Sequence, residues 1–367
     1  MITRSRSTLA LPLVALLCAG ACSDGPTDVP PANAIDVALP WTVANPTEVG
    51  IDGDELFVAG ELAGRIDRMR SLLVVRDGRI AYERYYGGWT ADTLADVRSV
   101  TKSVVSTLVG IAIEEGHIED LDQPITHFVR QPRFDVRPEH AGITVRHLLT
   151  MTGGFAWSEA DGGAYVDWVL SGDHVDYLLD RPLDAAPGRS FTYNSAAVHL
   201  LGVVLEQATG ASLPRYADRV LFAPLGISRS RWEELPGDFV NGGSGLDLRP
   251  RDLARIGQLF LQRGWSGRMP IVPSAWVADA TAGTSSTFPG VGPIRSMSYG
   301  FLWWLDLDRD AYLAWGFAGQ FVYVVPSLEL VVVATTDWRG VRDDIGNERL
   351  QEEVISVIVD RVVPAVR

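Results

Sequence analysis

One stretch dictates how the rest of the chain must be arranged. From Ser99 to Glu115 apolar residues fall on nearly every side of a helical projection (Val100, Val104, Val105, Leu108, Val109, Ile111 and Ile113) before Gly116 stops the run. A helix that is apolar all round is stable only where other elements cover it, so the spacing predicts a central, buried helix with the protein packed around it. A chain of 367 residues can bury such a core without disulfide or metal staples. The same helix carries the sequence's one lysine: of 32 basic residues, 31 are arginine and the remaining one is Lys102. Arginine effectively never loses its proton, whereas a buried lysine can shift its pKa by several units and act as a base. An unpaired buried ammonium is costly, so a lysine in this helix calls for a partner or a function.

Ser99-Val100-Thr101-Lys102 places a hydroxyl and an amine at i and i+3, on one helix face and within reach of each other. Serine becomes a useful nucleophile when a neighbour takes its proton, and a neutral lysine can do so. From a reference pKa near 10.4, Lys102 must drop by about three units to serve at neutral pH, through burial or a nearby cation. Arg98, adjacent in sequence, is one candidate cation. Tyr193-Asn194-Ser195 follows Pro187-Gly188 and precedes a helical pattern from Ala196 to Ala208, so it reads as a loop tip.

The remaining pattern is α+β. Asp52 and Asp54 open a helical run through Leu56, Ala59, Leu62, Ala63, Ile66 and Met69. Ser71 to Arg76 and Arg79 to Tyr86 flank Asp77-Gly78, a type I′ hairpin signal. Helical segments at Val145 to Met151, Ala196 to Ala208 and Arg251 to Arg263 fill the middle. Short β-rich runs follow at Tyr299 to Leu305, Tyr312 to Trp315, Phe321 to Val325 and Leu330 to Thr335, and an amphipathic helix at Asn347 to Val363 closes the chain. The expected architecture is an antiparallel sheet flanked by N- and C-terminal helices (47–118 and 286–367), with an all-helical lobe (119–285) inserted between its strands.

These residues resemble a family. Besides Ser99-Val-Thr-Lys102, the run Ile143-Thr-Val-Arg-His-Leu-Leu-Thr-Met-Thr-Gly-Gly looks like the family's stretch before its active-site loop. Tyr193-Asn-Ser with His199-Leu-Leu-Gly and Thr209-Gly210 looks like its second motif. Pro224-Leu-Gly226, Asp252-Leu-Ala-Arg255 and Gly319-Gln-Phe-Val-Tyr-Val-Val-Pro326 match further landmarks in order. The family is that of the serine β-lactamase-like hydrolases: class C β-lactamases, DD-peptidases, related carboxylesterases and 6-aminohexanoate-oligomer hydrolases. The resemblance implies Ser99 as the acylated nucleophile, with Lys102 and Tyr193 sharing the proton work. Either a neutral Lys102 acts directly or a Lys102 ammonium favours a Tyr193 phenolate. It also implies an oxyanion hole from the backbone N–H groups of Ser99 and Gln320.

Two departures bear on substrate. Ser195 stands where the second motif usually ends in asparagine, and Phe317-Ala318-Gly319 stands where Lys-Thr-Gly or His-Thr-Gly is usual on the last major strand. Phe317 offers no charge to a substrate carboxylate, so the expected substrate is a small ester or amide without one; β-lactamase or DD-peptidase activity, or a catalytically inactive sensor on the same scaffold, are the alternatives. Ser195, Phe317, Ala318, Gly319, Trp157 and Glu159 are the candidate substrate-binding residues. Glu159 and Asp161 are candidates to receive a substrate ammonium, Trp168, Trp303, Trp304 and Trp315 candidates to line the pocket, and His147 and His199 read as core residues.

Gly243-Ser244-Gly245 lacks the spacing of a Gly-x-Ser-x-Gly nucleophile turn, and the sequence holds no His-Glu-x-x-His and no phosphate or dinucleotide loop. No metal and no cofactor is expected. At the N-terminus, Arg4 and Arg6 precede an apolar run from Leu9 to Leu17 that is too short to span a bilayer. Ala19-Gly20-Ala21-Cys22 resembles a lipoprotein cleavage site, giving a signal peptide (1–21), a lipidated Cys22 and a flexible tether (22–46). Loss of Arg4 and Arg6 would take the net charge from -14 to -16. That charge repels a phosphate backbone, so no nucleic-acid partner is expected, and the lipid is the one expected membrane contact of a periplasmic or cell-envelope protein.

Overall fold

Burial alternates along the strands and so divides the core into two layers. The computed structural model describes residues 29–159, 163–237, 239–284, 286–341 and 343–367; the signal peptide, Cys22 and Asp161 lie outside them. Eight strands, β1 (Met69–Arg76), β2 (Arg79–Tyr85), β3 (Thr287–Pro289), β4 (Ser296–Tyr299), β5 (Trp304–Asp306), β6 (Ala311–Gly316), β7 (Gln320–Val325) and β8 (Leu330–Thr336), form one antiparallel sheet in the order β2-β1-β8-β7-β6-β5-β4-β3. The N-terminal hairpin therefore meets the last strand directly, with Leu72 opposite Ala334 and Val74 opposite Val332. Asp77 and Gly78 both take positive φ, 49° and 69°, as a type I′ turn requires.

The longer helices are α1 (Gly53–Ala63), α2 (Val100–Glu114), α3 (Ser195–Thr209), α4 (Pro250–Leu261) and α5 (Asp344–Val357); all lie against the sheet except α3, which packs on α2 and the short helices of the lobe. Leu72, Val74, Phe321, Tyr323 and Val332 turn towards α1 and α5, meeting Leu56, Ala59, Val354 and Ile355. Their neighbours Leu73, Val75, Val322, Val324 and Val331 turn to the opposite layer, which holds α2 and α4. Period-two alternation produces both faces from one strand. Covering both explains why β8 is buried throughout and apolar until its final threonines. The side-chain carboxylate of Asp52 starts α1 by accepting from the N–H groups of Asp54 (3.0 Å) and Glu55 (3.3 Å).

Helix α2 is buried without interruption from Val100 to Ala112, between β6 and α3. A small ladder fixes its entry. Ala95–Asp96 pairs with Leu246–Leu248, which also pairs with Arg231–Trp232. The Val97 N–H then donates to the Leu246 carbonyl (3.0 Å), and the Leu246 N–H to the Thr101 hydroxyl (3.2 Å). The loop before Leu246 is thereby held against the first turn of α2.

Three sequence expectations need correction. The helical run begun at Asp52 ends at Ala63, and Met69 starts β1 instead. Tyr299 to Leu305 is not one strand but the end of β4 and the start of β5, with Tyr299 opposite Trp304 across a turn. The helix expected at Arg251 to Arg263 lies on the sheet as α4: a Cβ at Gly257 would come within 2.6 Å of Val331 and 2.8 Å of Val322. The sheet layer thus reaches into the stretch expected to be lobe. Among the described residues no single helix is long and apolar enough to cross a membrane.

Candidate active site

Ser99 is the N-cap of α2, and Lys102 follows in its first turn. The helix buries the lysine to 1% exposure, yet its ammonium has three acceptors: Ser99 Oγ at 2.8 Å, Ser195 Oγ at 2.9 Å and the Gly243 carbonyl at 2.7 Å. These match its three N–H donors. Burial is the main cause that brings the Lys102 pKa down to about 7, the Glu159 carboxylate acts against it, and the Arg98 guanidinium adds to it. A buried amine at that value exists in both forms at neutral pH, as a base for serine needs.

Each acceptor is held from behind. Gly243 belongs to a turn in which Asn241 Oδ1 accepts from the N–H groups of Gly243 (3.0 Å) and Ser244 (3.1 Å). Glycine is required there, because a Cβ would stand 2.6 Å from the Ser195 carbonyl. Ser195 opens α3, whose Asn194 cap accepts from the Ala197 N–H at 2.9 Å. The Ser195 hydroxyl donates in turn to Glu159 Oε1. Glu159 Oε2 receives the Ser195 N–H (3.1 Å) and the Trp157 indole N–H (2.7 Å). A continuous chain therefore runs from ammonium to hydroxyl to carboxylate.

Tyr193 completes the centre. Its ring lies 5.0 Å from Lys102 Nζ. Burial raises the pKa of its phenol, against which a hydrogen bond with Ser99 acts. The loop carrying it is pinned by the Thr192 N–H donating to the Met151 carbonyl at 2.8 Å. Arg98, at φ 50°, holds its guanidinium 4.4 Å over Trp338 and donates to the Tyr165 hydroxyl at 3.3 Å.

The structure thus brings Ser99, Lys102, Tyr193, Ser195, Glu159 and Trp157 together. It separates others. Phe317-Ala318-Gly319 is not on a strand but forms the turn between β6 and β7. Ala318 is fully buried at φ 64° with its N–H on Asn347 Oδ1 (2.7 Å), and a Cβ on Gly319 would meet Val354 and Thr336. Both face α5, so neither is placed to bind substrate. Phe317 is half-buried and packs at the edge of the same layer. Gln320 opens β7 as the ladder partner of Gly316 and is fully buried, and its side-chain amide is bonded to the Thr336 carbonyl (3.2 Å), hydroxyl (2.7 Å) and N–H (3.1 Å), which ties the residue into the sheet. Gly316, at the end of β6, packs against the residues that lead into the nucleophile: a Cβ there would strike the Val97 carbonyl and crowd Arg98.

Trp168 and Trp303 are fully buried core residues, whereas Trp304 and Trp315 are half-exposed. His147 caps a local turn by accepting from the Thr144 N–H (3.1 Å), and His199 is buried beside Trp168 and His174. The Gly243 carbonyl and its Asn241 clamp were missed in the sequence, where the only signal was Gly243-Ser244-Gly245, read solely as an absent nucleophile turn. Among the described residues no group of three or more His, Cys, Asp or Glu is disposed to hold a metal.

An antiparallel sheet and helical lobe meeting at a Ser-Lys-Tyr centre define a serine hydrolase that works through an acyl-enzyme. The family model for Beta-lactamase matches residues 67–355, and the chain belongs to that family. It is 28% identical over 292 residues to the 6-aminohexanoate-dimer hydrolase of Paenarthrobacter ureafaciens, covering 73% of this chain and 72% of that one. It is 32% identical over 220 residues to esterase EstB of Burkholderia gladioli, covering 50% of this chain and 53% of that one, so it spans about half of that relative's length. In three dimensions, a Bacillus anthracis structure provisionally assigned as a 6-aminohexanoate-dimer hydrolase superposes with a TM-score of 0.71 at 20% identity over 92% of this chain and 90% of that one.

Proposed function

We propose that this serine hydrolase is an esterase for small, uncharged esters, with a neutral Lys102 as the resting base. The observation that carries this reading is the buried Lys102, hydrogen-bonded to Ser99 and brought down to about 7. The same burial keeps Tyr193 a phenol. In the reactive form the Ser99 hydroxyl donates its proton to Lys102 as Oγ bonds to the substrate carbonyl carbon. The tetrahedral oxyanion is met by the N–H groups of Ser99 and Phe317, neither of which has an acceptor among the described residues. Collapse breaks the bond to the leaving oxygen, which takes the Tyr193 proton, and the proton held by Lys102 restores the phenol. Water then attacks the acyl carbon by the reverse route and frees Ser99.

Two features favour an ester over a charged amide or a β-lactam. Both Glu159 oxygens are already engaged, by Ser195 and by Trp157, so this carboxylate is committed to the hydrogen-bond chain behind Lys102. The β6–β7 turn supplies no cation for a substrate carboxylate. We also propose export and a lipid anchor at Cys22, resting on the N-terminal sequence alone, which makes this a cell-envelope enzyme.

The test is a parallel assay of the full-length protein on p-nitrophenyl butyrate, nitrocefin and the 6-aminohexanoate linear dimer, with Ser99→Ala as control. Turnover of the butyrate, lost in Ser99→Ala, is expected. Nitrocefin turnover at rates typical of a dedicated enzyme would overturn the substrate assignment.

A further inference from the structure

The catalytic tyrosine is one end of an aromatic surface. Its ring lies 6.1 Å from Trp304 at an interplanar angle of 23°. Trp304 contacts Trp315 at 5.4 Å on one side and Phe288 at 5.9 Å on the other, and Phe288 meets Phe191 at 4.5 Å. Tyr299, buried beneath, supports Trp304 edge-on at 4.7 Å. The hairpin register places Trp304, the first residue of β5, opposite Tyr299 of β4, and Trp304 packs against both layers of the core; Trp315 belongs to the α1–α5 layer, stacked on Phe321 at 5.9 Å, and reaches the row through Trp304.

Two properties set the row apart from ordinary core, partial burial and the lack of a stacked arginine. Phe191, Tyr193, Phe288, Trp304 and Trp315 are each only partly buried, whereas Trp168 and Trp303 are sealed. The Trp304 and Trp315 indole N–H groups meet no protein acceptor among the described residues, as is also true of the buried Trp232, Trp276 and Trp303, but on the row these donors belong to side chains that are only partly buried. Among the described residues no arginine stacks on the row, and the cation that faces it is Lys102, over Tyr193. Half-open aromatic faces with free N–H donors and no paired charge suit a flat, neutral, apolar group bearing an acceptor.

We propose that this row is the leaving-group subsite and that it receives an aryl or arylmethyl alcohol moiety of the ester. This inference rests on the esterase reading above. The side is set by the chemistry, because the leaving oxygen must lie against the Tyr193 hydroxyl to take its proton. The group attached to that oxygen then extends along the surface continuous with Tyr193, while the acyl group stays on Ser99.

Three esters whose alcohols have similar acidity separate the possibilities: 2-naphthylmethyl acetate, methyl acetate and methyl 2-naphthylacetate. For wild type, kcat/KM is expected to be highest for 2-naphthylmethyl acetate. In Trp304→Ala the ratio of its kcat/KM to that of methyl acetate should fall by about tenfold or more, as the loss of an aromatic contact implies. Trp304→Phe should restore much of the ratio. Equal losses on both acetates, leaving the ratio at its wild-type value, would mean that Trp304 only supports Tyr193 and would overturn the proposal. A collapse confined to methyl 2-naphthylacetate would move the row to the acyl side and also overturn it. Failure of the esterase reading looks different, since wild type then turns over none of the three. In that event, quenching of tryptophan fluorescence by 2-naphthylmethanol still tests the row: saturable quenching weakened in Trp304→Ala supports it, and its absence rejects it.

Discussion

Lys102 and the His174–His199 pair are both buried basic centres, and only the first is built to react. Lys102 is enclosed by α2 and α3 with an acceptor for each ammonium proton. In the lobe, His174 and His199 lie 6.1 Å apart around Trp168, buried to 2% and 1% exposure. Both ring nitrogens of His174 and Nδ1 of His199 lack hydrogen-bond partners. Burial lowers both Lys102, to about 7, and His199, to about 4. It leaves the lysine titrating where catalysis happens and the histidine neutral throughout. They titrate at different pH because an amine starts at 10.5 and an imidazole at 6.5, and what equips only Lys102 for chemistry is its surroundings: nucleophile, hydroxyl and carbonyl around the lysine, aromatic rings around the histidines.

Ser99→Ala should lower kcat by about 10³-fold or more, as removal of a nucleophile from a triad does, whereas His199→Phe should leave ester turnover within a few-fold of wild type; both are read in steady-state assays. Lys102→Met should be nearly as damaging as Ser99→Ala, and the double variant no worse than either alone, because the two act as a unit.

Next is the carboxylate behind Ser195. Glu159 favours the Lys102 ammonium, so Glu159→Gln lowers the Lys102 pKa further and shifts the acidic limb of the kcat/KM profile to lower pH. Activity at the plateau should fall by about ten- to a hundredfold through the loosened Ser195. A limb that stays in place would show that the carboxylate does not reach the base.

The smallest effects concern stability, where the two centres occupy different pH windows. Both groups have folded pKa values below their unfolded ones, so each contributes stability that is present above its unfolded pKa and is lost as pH falls to the folded value. For Lys102 that window runs from 10.5 to about 7, and for His199 from 6.5 to about 4. Chemical unfolding of His199→Phe should therefore lack a loss of about 3 kcal/mol that wild type shows between pH 6.5 and 4. Lys102→Met should remove a slope only at higher pH.

What the sequence reveals of this site is what lies close along the chain. Ser99 and Lys102 are legible because helical spacing alone puts them together, and the lone lysine in an apolar helix marks itself. Tyr193 and Ser195 are legible through the motif preceding α3. The Gly243 carbonyl is hidden because a backbone acceptor leaves no side-chain signature and is brought 141 residues along the chain by a two-residue ladder. Phe317-Ala318-Gly319 deceives because Ala318 takes positive φ beside Gly319 (64° and 91°), and of the two only the glycine is a residue that signals a turn. The amphipathic run of α4 shows that one face is covered but not by what, which is why a sheet helix reads as a lobe helix. Ser195 stands where asparagine is usual, and its backing by Glu159 is hidden because the contact spans 36 residues of the chain.

The central claim is that Lys102 is a base at neutral pH, and the sequence makes it directly measurable. Lysine labelled with ¹³C at Cε yields one lysine resonance from this protein, because Lys102 is the sole lysine. A chemical-shift titration of the folded full-length protein centred near pH 7, moved to lower pH in Glu159→Gln, is the expected result. A midpoint near 10, with ester hydrolysis intact at pH 7, would contradict the account and transfer the role of base to Tyr193.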